Sequence, residues 1–123
     1  PSGWHIPTHA EFTTLERTVC TSTTCAADFP YETITTGWRG TNEGSKLSTL
    51  TSGGNNSSGF TALIPGFRNP NGTFYGRGEN AMFWSSSVND SLAWRRSVNS
   101  GEATVYRDSY SWAFGFSVRC IKN

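Results

Sequence analysis

The stretch AMFWSSSVNDSLAWRRSVNSGEATVYRDSYSWAFGFSVRC, residues 81–120, decides the fold, because it contains three segments with alternating residue character. Such alternation is typical of half-buried β-strands. The residues that share one face in the three segments are, in order, Trp94, Arg96 and Val98; Ala103, Val105 and Arg107; and Phe114, Phe116, Val118 and Cys120. We therefore predict an antiparallel sheet built from the C-terminal half of the chain.

The opposite faces of these segments carry Ser, Asn, Asp, Thr, Tyr and Arg. Residues of these types offer adaptable hydrogen bonds and aromatic contact area, which is the composition of a binding surface. The same composition also fits the solvated face of an ordinary antiparallel sheet. Alternation alone leaves both interpretations open and favours the solvated face.

Length and composition limit the classes of protein to which the chain can belong. Its 123 residues suit a single domain, residues 1–123, with one core. Only 15% of the residues are charged, and Ser, Thr, Asn and Gly are abundant, which indicates a secreted β-rich or α+β domain. The net charge of +1 without a basic run argues against a nucleic-acid partner. No apolar run is long enough to insert into a bilayer. The chain begins at Pro1 without a Met, so we expect a processed or excised fragment.

The three cysteines cannot all pair within the chain. Cys20 and Cys25 flank the polar segment TSTT, and a disulfide between them is plausible in an oxidising compartment. Cys120 is then either a buried free thiol or the partner of a cysteine that precedes Pro1. Zinc binding is the weaker interpretation, because the spacing fits no zinc pattern and only His5 and His9 are available to assist. We predict no cofactor, and a structural calcium ion remains open.

The N-terminal third predicts one well-formed helix. Thr8 can cap it, and Glu11 three residues later completes a capping box. The expected apolar stripe runs to Val19 and comprises Ala10, Phe12, Leu15 and Val19, with His9 in an exposed first turn. A short helix is expected within residues 42–50, a strand interrupted at Pro65 within residues 60–67, and a hairpin closed by Asn71-Gly72.

Catalytic chemistry is not indicated. The nine acidic residues are scattered, and the sequence contains no G-x-S-x-G elbow, phosphate loop or dinucleotide fingerprint. Arg96 and Arg107 on the buried strand faces need partners, because burying a guanidinium alone is costly. The candidate partners are Glu79, Asp90, Glu102 and nearby backbone carbonyls. We predict a structural ion pair, with an anion-binding site as the alternative.

Three motifs in order resemble the Fibrobacter succinogenes major paralogous domain family: PSGWHIPTHAEFTTL, NNSSGFTALIPGFRNPNGTF, and the run FWSS…AWRRSV…VYR…FGFSVRC. That family is similar to a branch of the C-type lectin-like fold. The resemblance therefore implies an α+β domain whose N-terminal helix packs on a twisted antiparallel sheet. Family members carry a Cys just before the Pro-Ser-Gly-Trp motif, which implies a partner for Cys120 before Pro1. The segment with Cys20 and Cys25 departs from the pattern.

Two activities of the wider fold do not carry over to this sequence. Calcium-dependent sugar binding in C-type lectins uses a carboxylate-bearing Pro motif and a Trp-Asn-Asp triplet. The corresponding segments here, residues 69–71 and 88–90, lack the carboxylate and the Trp. The related formylglycine-generating enzyme uses two reactive cysteines, which Cys120 alone does not supply.

The C-terminal half is also similar to the variable proteins of diversity-generating retroelements, which display residues altered by adenine-directed mutagenesis. The resemblance implies a ligand-binding set of Ser91, Leu92, Arg95, Ser97, Asn99, Ser100, Thr104, Tyr106, Asp108, Ser109 and Tyr110. Trp112 joins this set as an anchor or belongs to the framework, because its codon cannot arise from a mutated Asn codon. The implied framework residues, expected on the opposite faces, are Trp84, Trp94, Arg96, Val98, Val105, Arg107 and Phe116.

These resemblances shift the interpretation of the polar faces from solvated surface to binding surface. They imply a non-catalytic, adhesin-like domain of a bacterial or phage surface, extracellular or displayed on the cell, for example at a pilus tip and within a larger assembly. Its partner would be a protein or a glycan on another cell surface. The alternative is a carbohydrate-binding module of a secreted bacterial polysaccharide-utilising system.

Overall fold

The computed structural model describes residues 1–123 and shows an α+β fold with short helices and antiparallel sheets. The elements in chain order are β1 (Trp4–His5), α1 (His9–Val19), α2 (Cys25–Asp28), β2 (Gly37–Arg39), α3 (Glu43–Leu47), a 3-10 turn (Leu50–Ser52), β3 (Phe67–Arg68), β4 (Phe74–Tyr75), β5 (Asn80–Asn89), β6 (Leu92–Asn99), β7 (Val105–Ser111) and β8 (Ile121–Lys122). The main sheet has the strand order β2-β7-β6-β5. Separate antiparallel pairs join β1 to β8 and β3 to β4.

The predicted capping box at the start of α1 is confirmed. The Thr8 hydroxyl accepts a hydrogen bond from the Glu11 amide at 3.2 Å, and the Glu11 carboxylate accepts one from the Thr8 amide at 2.8 Å. The helix ends where Cys20 turns to extended backbone, with φ −69° and ψ 137°. The predicted short helix and the hairpin after it are confirmed as α3 and the β3–β4 pair.

The main sheet has two faces with different roles. The inner face lies against α1, which packs on β5 and β6, and it carries Phe83, Trp94, Arg96, Val98, Val105 and Arg107. The outer face carries Trp84, Arg95, Ser97, Tyr106, Asp108 and Tyr110. The register of β6 with β7 confirms the alternation predicted for the first two segments. The apolar core on the inner side comprises Phe12, Phe29, Leu47, Ala62, Ala81, Phe83, Val98 and Val105.

A buried ion pair joins α1 to the centre of the sheet. The guanidinium of Arg96 contacts the carboxylate of Glu16, and each side chain is only 1% exposed. Nη2 of Arg96 also donates a hydrogen bond to the hydroxyl of Thr13 at 3.3 Å. Burial raises the pKa of Glu16, while the charge of Arg96 opposes that rise. Two charges removed from water are tolerated only when such partners replace the solvent.

A second buried guanidinium extends this contact into a network. Arg107 donates to His9 Nε2 at 2.9 Å and to the carbonyl oxygens of Pro30 and Glu32, both at 2.8 Å. Burial, and then the neighbouring charge of Arg96, lower the pKa of Arg107 to about 10. The ring of Trp94 packs against His9 at 4.4 Å between centroids. We call Glu16, Arg96, His9, Arg107 and Trp94 the buried charge network.

Three expectations about this region were wrong. His9 is 2% exposed rather than in an exposed turn, because its ring fits between two guanidiniums. The buried face of α1 is mainly polar, with His9, Phe12, Thr13 and Glu16, whereas Ala10 is exposed. Arg96 pairs with Glu16, and not with Glu79, Asp90 or Glu102, because α1 packs on β5 and β6 and brings Glu16 against Arg96.

Two predicted strands are largely irregular. In residues 114–120, Gly115 pairs with Arg68 while Ser117 bonds to Met82 and Trp84, so the segment bridges two different neighbours. Val118 is accordingly 51% exposed rather than facing the core. In residues 60–67, only Phe67 belongs to a strand, because Gly66 before it adopts φ 79°. The disulfide between Cys20 and Cys25 is confirmed, and Cys120 is free and partly buried.

We expect Glu16→Ala to destabilise the fold by about 3–5 kcal/mol, because it leaves the charge of Arg96 buried without its partner. Chemical denaturation followed by tryptophan fluorescence measures the free energy of unfolding. The matched control is the double variant Glu16→Leu/Arg96→Met, which removes both charges and should recover most of that loss. A Glu16→Ala loss below about 1 kcal/mol would contradict a central role for the pair.

The titration of His9 alone should lower the free energy of unfolding by about 2 kcal/mol when the pH falls from 7 to 5. Burial, and then the charges of Arg96 and Arg107, lower the pKa of His9 in the fold to about 4, from the ordinary value of 6.5. The unfolded chain therefore binds more protons in this window, and stability rises with pH. Denaturation at a series of pH values checks this, and His9→Gln should flatten the profile.

His5 provides the control of opposite sign. Its hydrogen bonds to Asn123 and Glu11 raise its pKa in the fold, so its contribution to stability is present at low pH and is lost as the pH rises. His5→Gln should therefore steepen the loss of stability on acidification. A flattened profile in His5→Gln, with no change in His9→Gln, would reverse the assignment.

Candidate functional site

The outer face of β7 presents a row of polar and aromatic side chains. Tyr106, Asp108 and Tyr110 are alternate residues of one strand, so all three point to the same side. Their partners across β6 are Ser97, Arg95 and Ala93, respectively. The structure thus brings together the part of the predicted ligand-binding set that lies in the middle of β6 and β7.

Arg95 and Asp108 form the polar centre of this row. Nη2 of Arg95 donates to Oδ2 of Asp108 at 3.2 Å, and its Nε makes a charge contact with Oδ1 at 2.7 Å in an orientation poor for a hydrogen bond. The guanidinium lies 4.8 Å from the ring centre of Tyr110 and 5.5 Å from that of Tyr106. Burial raises the pKa of Asp108, and the charge of Arg95 offsets part of that rise. The guanidinium of Arg95 therefore packs against the rings of both Tyr106 and Tyr110.

Trp38 extends the row, and the sequence analysis did not include it. It pairs in register with Tyr106 across β2 and β7, and the two rings meet edge to face at 5.1 Å. The side chain is 45% exposed. In the sequence, Trp38 is marked only by its position between Gly37 and Gly40, and this pattern also fits a turn between two elements. The pairing of β2 with β7 shows that Trp38 lies in a strand.

An apolar cleft of about 250 Å³ lies on the outer side, at the end of the row beyond Tyr110. Trp84 and Trp112 are among its walls, and Ala93 contributes to its lining. Trp112 is 61% exposed, so a ligand can reach the cleft without displacing it. The outer side therefore combines exposed aromatic rings, a charge pair and an apolar depression.

The remaining predicted ligand-binding residues do not form one patch with the row. Ser91 and Leu92 lie at the β5–β6 turn, on the same end of the sheet as Trp112, whereas Ser100 and Thr104 lie at the β6–β7 connection on the opposite end. Leu92 and Ser109 belong to the inner side by register. Asn99 is partly exposed at the end of β6 and accepts a hydrogen bond from the Ser97 hydroxyl at 2.8 Å.

Two corrections concern exposure. Arg95 is 8% exposed and Ser97 3%, so neither is the surface residue that alternation predicted. Trp84 and Phe116, expected on the face away from the ligand-binding set, lie on the same side as Arg95. The ring of Phe116 lies 4.3 Å from that of Trp84, so the C-terminal segment covers part of the outer face. Alternation distinguishes the two faces of a strand, but it does not show which face another segment of the chain will cover.

The titratable side chains are not arranged for metal binding: no group of three or more His, Cys, Asp or Glu is placed to hold an ion. No helix has the length and apolar character that crossing a bilayer requires. The buried charge network contains the most strongly perturbed groups, yet it lies beneath α1 and is closed to solvent. The exposed aromatic row is therefore the better candidate for a functional surface.

Comparison with protein families gives one result. The profile of the Fibrobacter succinogenes major domain matches residues 1–122. The chain belongs to this family. Neither the search of curated proteins nor the search of solved structures found a significant match. The match of the Fibrobacter succinogenes major domain spans both the buried charge network and the aromatic row, and its description names no ligand or reaction.

In this Fibrobacter succinogenes major domain, Arg95→Ala should lower the free energy of unfolding by about 3 kcal/mol, because it leaves the carboxylate of Asp108 largely buried without its cation. Thermal and chemical denaturation measure the effect. Tyr106→Ala is the matched control on the same face, and it should cost less because its ring is partly exposed. Equal stability of Arg95→Ala and the wild type would show that Arg95 is not structural.

Proposed function

We propose that this protein is a non-catalytic ligand-binding domain of a bacterial cell surface, and that it binds its ligand through the outer face. The observation that carries the proposal is the exposure of three large aromatic side chains along that face. Trp38, Tyr110 and Trp112 are 45%, 38% and 61% exposed, respectively. Aromatic residues with a nearby arginine are the usual anchors of protein interfaces.

The exposed rings are held in place from below, which favours binding. Tyr110 packs edge to face on Phe114 at 4.9 Å, and Trp38 packs on Tyr106. A ligand that meets rings already fixed in position loses less side-chain entropy than one that must order them. The cleft between Trp84 and Trp112 offers room for one apolar side chain of a protein ligand.

The finer part of the proposal is that the fold is C-type lectin-like and that the outer face is diversified by a retroelement. The different roles of the two faces of the sheet support this part of the proposal. Side chains such as Tyr106 and Tyr110 can vary without disturbing the buried charge network, since they point away from it. Burial of Arg95 and Ser97 argues for removing these two from the variable set. An adjacent reverse transcriptase gene with a template repeat would decide the question.

The second candidate is a carbohydrate-binding module of a polysaccharide-utilising system. It is favoured by the flat, exposed indole of Trp112 beside a shallow cleft, because sugar rings stack on such surfaces. A glycan array and a cell-surface protein pull-down, run in parallel with the same protein, separate the two candidates. Binding on the array alone would replace the protein-ligand proposal with this one.

We expect Trp38→Ala and Tyr110→Ala each to weaken binding of the captured ligand by about tenfold or more while leaving the melting temperature nearly unchanged. Trp94→Ala should instead unfold the domain, because removing a buried Trp costs about 3–5 kcal/mol. Titration calorimetry and thermal denaturation on the same samples provide both readouts. Undiminished binding by Trp38→Ala and Tyr110→Ala together would place the ligand elsewhere.

A further inference from the structure

We propose that the protein has a second ligand site, a groove around Phe74 that binds an acidic polysaccharide. Two adjoining clefts, of about 600 and 340 Å³, share Pro65 and Phe74 as lining residues. Arg77 lines the larger cleft and Arg68 the smaller one. The exposed ring of Phe74 therefore lies between two depressions, and each depression is lined by one arginine.

The hairpin β3–β4 builds this arrangement. Arg68 and Phe74 are directly opposite each other in the strand pair, so their side chains lie on the same face of the hairpin. Gly66 has a φ of 79°, and a Cβ there would lie 2.1 Å from the carbonyl oxygen of Tyr75. This position therefore needs glycine for both its conformation and its close approach.

Contacts with the C-terminal segment fix the hairpin in place. Arg68 and Gly115 exchange two backbone hydrogen bonds, each of 2.9 Å. On the other face of the hairpin, Phe67 packs against Tyr75 at 6.5 Å and against Phe116 at 6.1 Å. The groove is thus supported by the folded domain rather than carried on a free loop, which reduces the ordering cost of binding.

The charges in the groove are uncompensated. None of the three ion pairs of the structure involves Arg68 or Arg77. No Asp or Glu lines either cleft. The protein as a whole carries a net charge of only +1, so this positive character is local. A ligand that places one anionic group on each side of Phe74 would complement it.

The exposed ring of Phe74 favours a sugar chain as the carrier of those anionic groups. Phe74 is 78% exposed and lies on the face of the hairpin opposite to Phe67, so its ring takes no part in the packing that holds the hairpin in place. The C–H faces of pyranose rings stack on such exposed rings, and the glycines Gly66, Gly76 and Gly115 leave room along the groove. A nucleic acid would call for a longer basic track than two arginines provide. We infer a polysaccharide that contains uronic acids.

Titration calorimetry with a short oligogalacturonate, and with the same oligosaccharide after methyl esterification, tests the proposal. The acidic form should bind, more weakly at high salt, and the neutral ester should bind at least about tenfold more weakly. Phe74→Ala should weaken binding by about tenfold, and Arg68→Gln and Arg77→Gln should each weaken it and reduce its salt dependence. Because all three side chains are exposed, the folded state should be unaffected.

Matched controls are Tyr31→Ala and Lys122→Gln, an exposed aromatic and an exposed cation outside the groove, which should bind like the wild type. Absence of binding to the acidic oligosaccharide, or equal binding of the methyl ester, would overturn the proposal. So would equal binding of a polyglutamate peptide or an oligodeoxynucleotide of the same charge, because that result would indicate a general polyanion surface. Loss of binding in the control variants would place the site elsewhere.

Discussion

The ion pair between Glu16 and Arg96 is the constraint on which the rest of the structure depends. Both side chains are 1% exposed, and each charge is tolerated in the interior only while the other is in contact with it. Glu16 belongs to α1 and Arg96 to β6, 80 residues later, so the pair determines where the helix lies on the sheet. Apolar packing is non-directional, whereas this buried pair requires the two side chains to stay in contact.

The consequences extend from this pair to the outer face. Arg107, next to Arg96 across the sheet, donates to the carbonyls of Pro30 and Glu32 and so holds the loop after α2. That loop leads to β2, which pairs with β7 and places Trp38 beside Tyr106. An exposed aromatic residue of the candidate binding face is therefore positioned by a buried guanidinium on the opposite side of the sheet. The buried charge network and the candidate binding face thus lie on opposite sides of the sheet and are connected by one loop.

The C-terminal segment has the same connecting role at the other edge of the sheet. Gly115 bonds to the hairpin β3–β4 and Ser117 bonds to β5, so the residues between two partners cannot form a regular strand. Phe116 covers part of the outer face, next to Trp84. The cover removes Arg95 from solvent and leaves the groove around Phe74 open beyond it.

The sequence by itself determined what depends on neighbouring residues. The capping box of Thr8 and Glu11, the hairpin around Asn71-Gly72 and the disulfide of Cys20 with Cys25 rest on contacts within a few residues, and the alternation in β6 and β7 is a pattern of neighbouring residues. The sequence motifs were also sufficient to identify the family. These features could be predicted because their energetics are local.

Only the tertiary structure decided which side chains are buried together. The partner of Arg96, the burial of His9 and the shielding of Arg95 and Ser97 involve elements that are distant in sequence. Alternation separates the two faces of a strand, but it does not say which face a helix or a loop will cover. That choice depends on long-range contacts, and a charge, unlike an apolar side chain, carries no periodic signal of the partner that makes its burial possible.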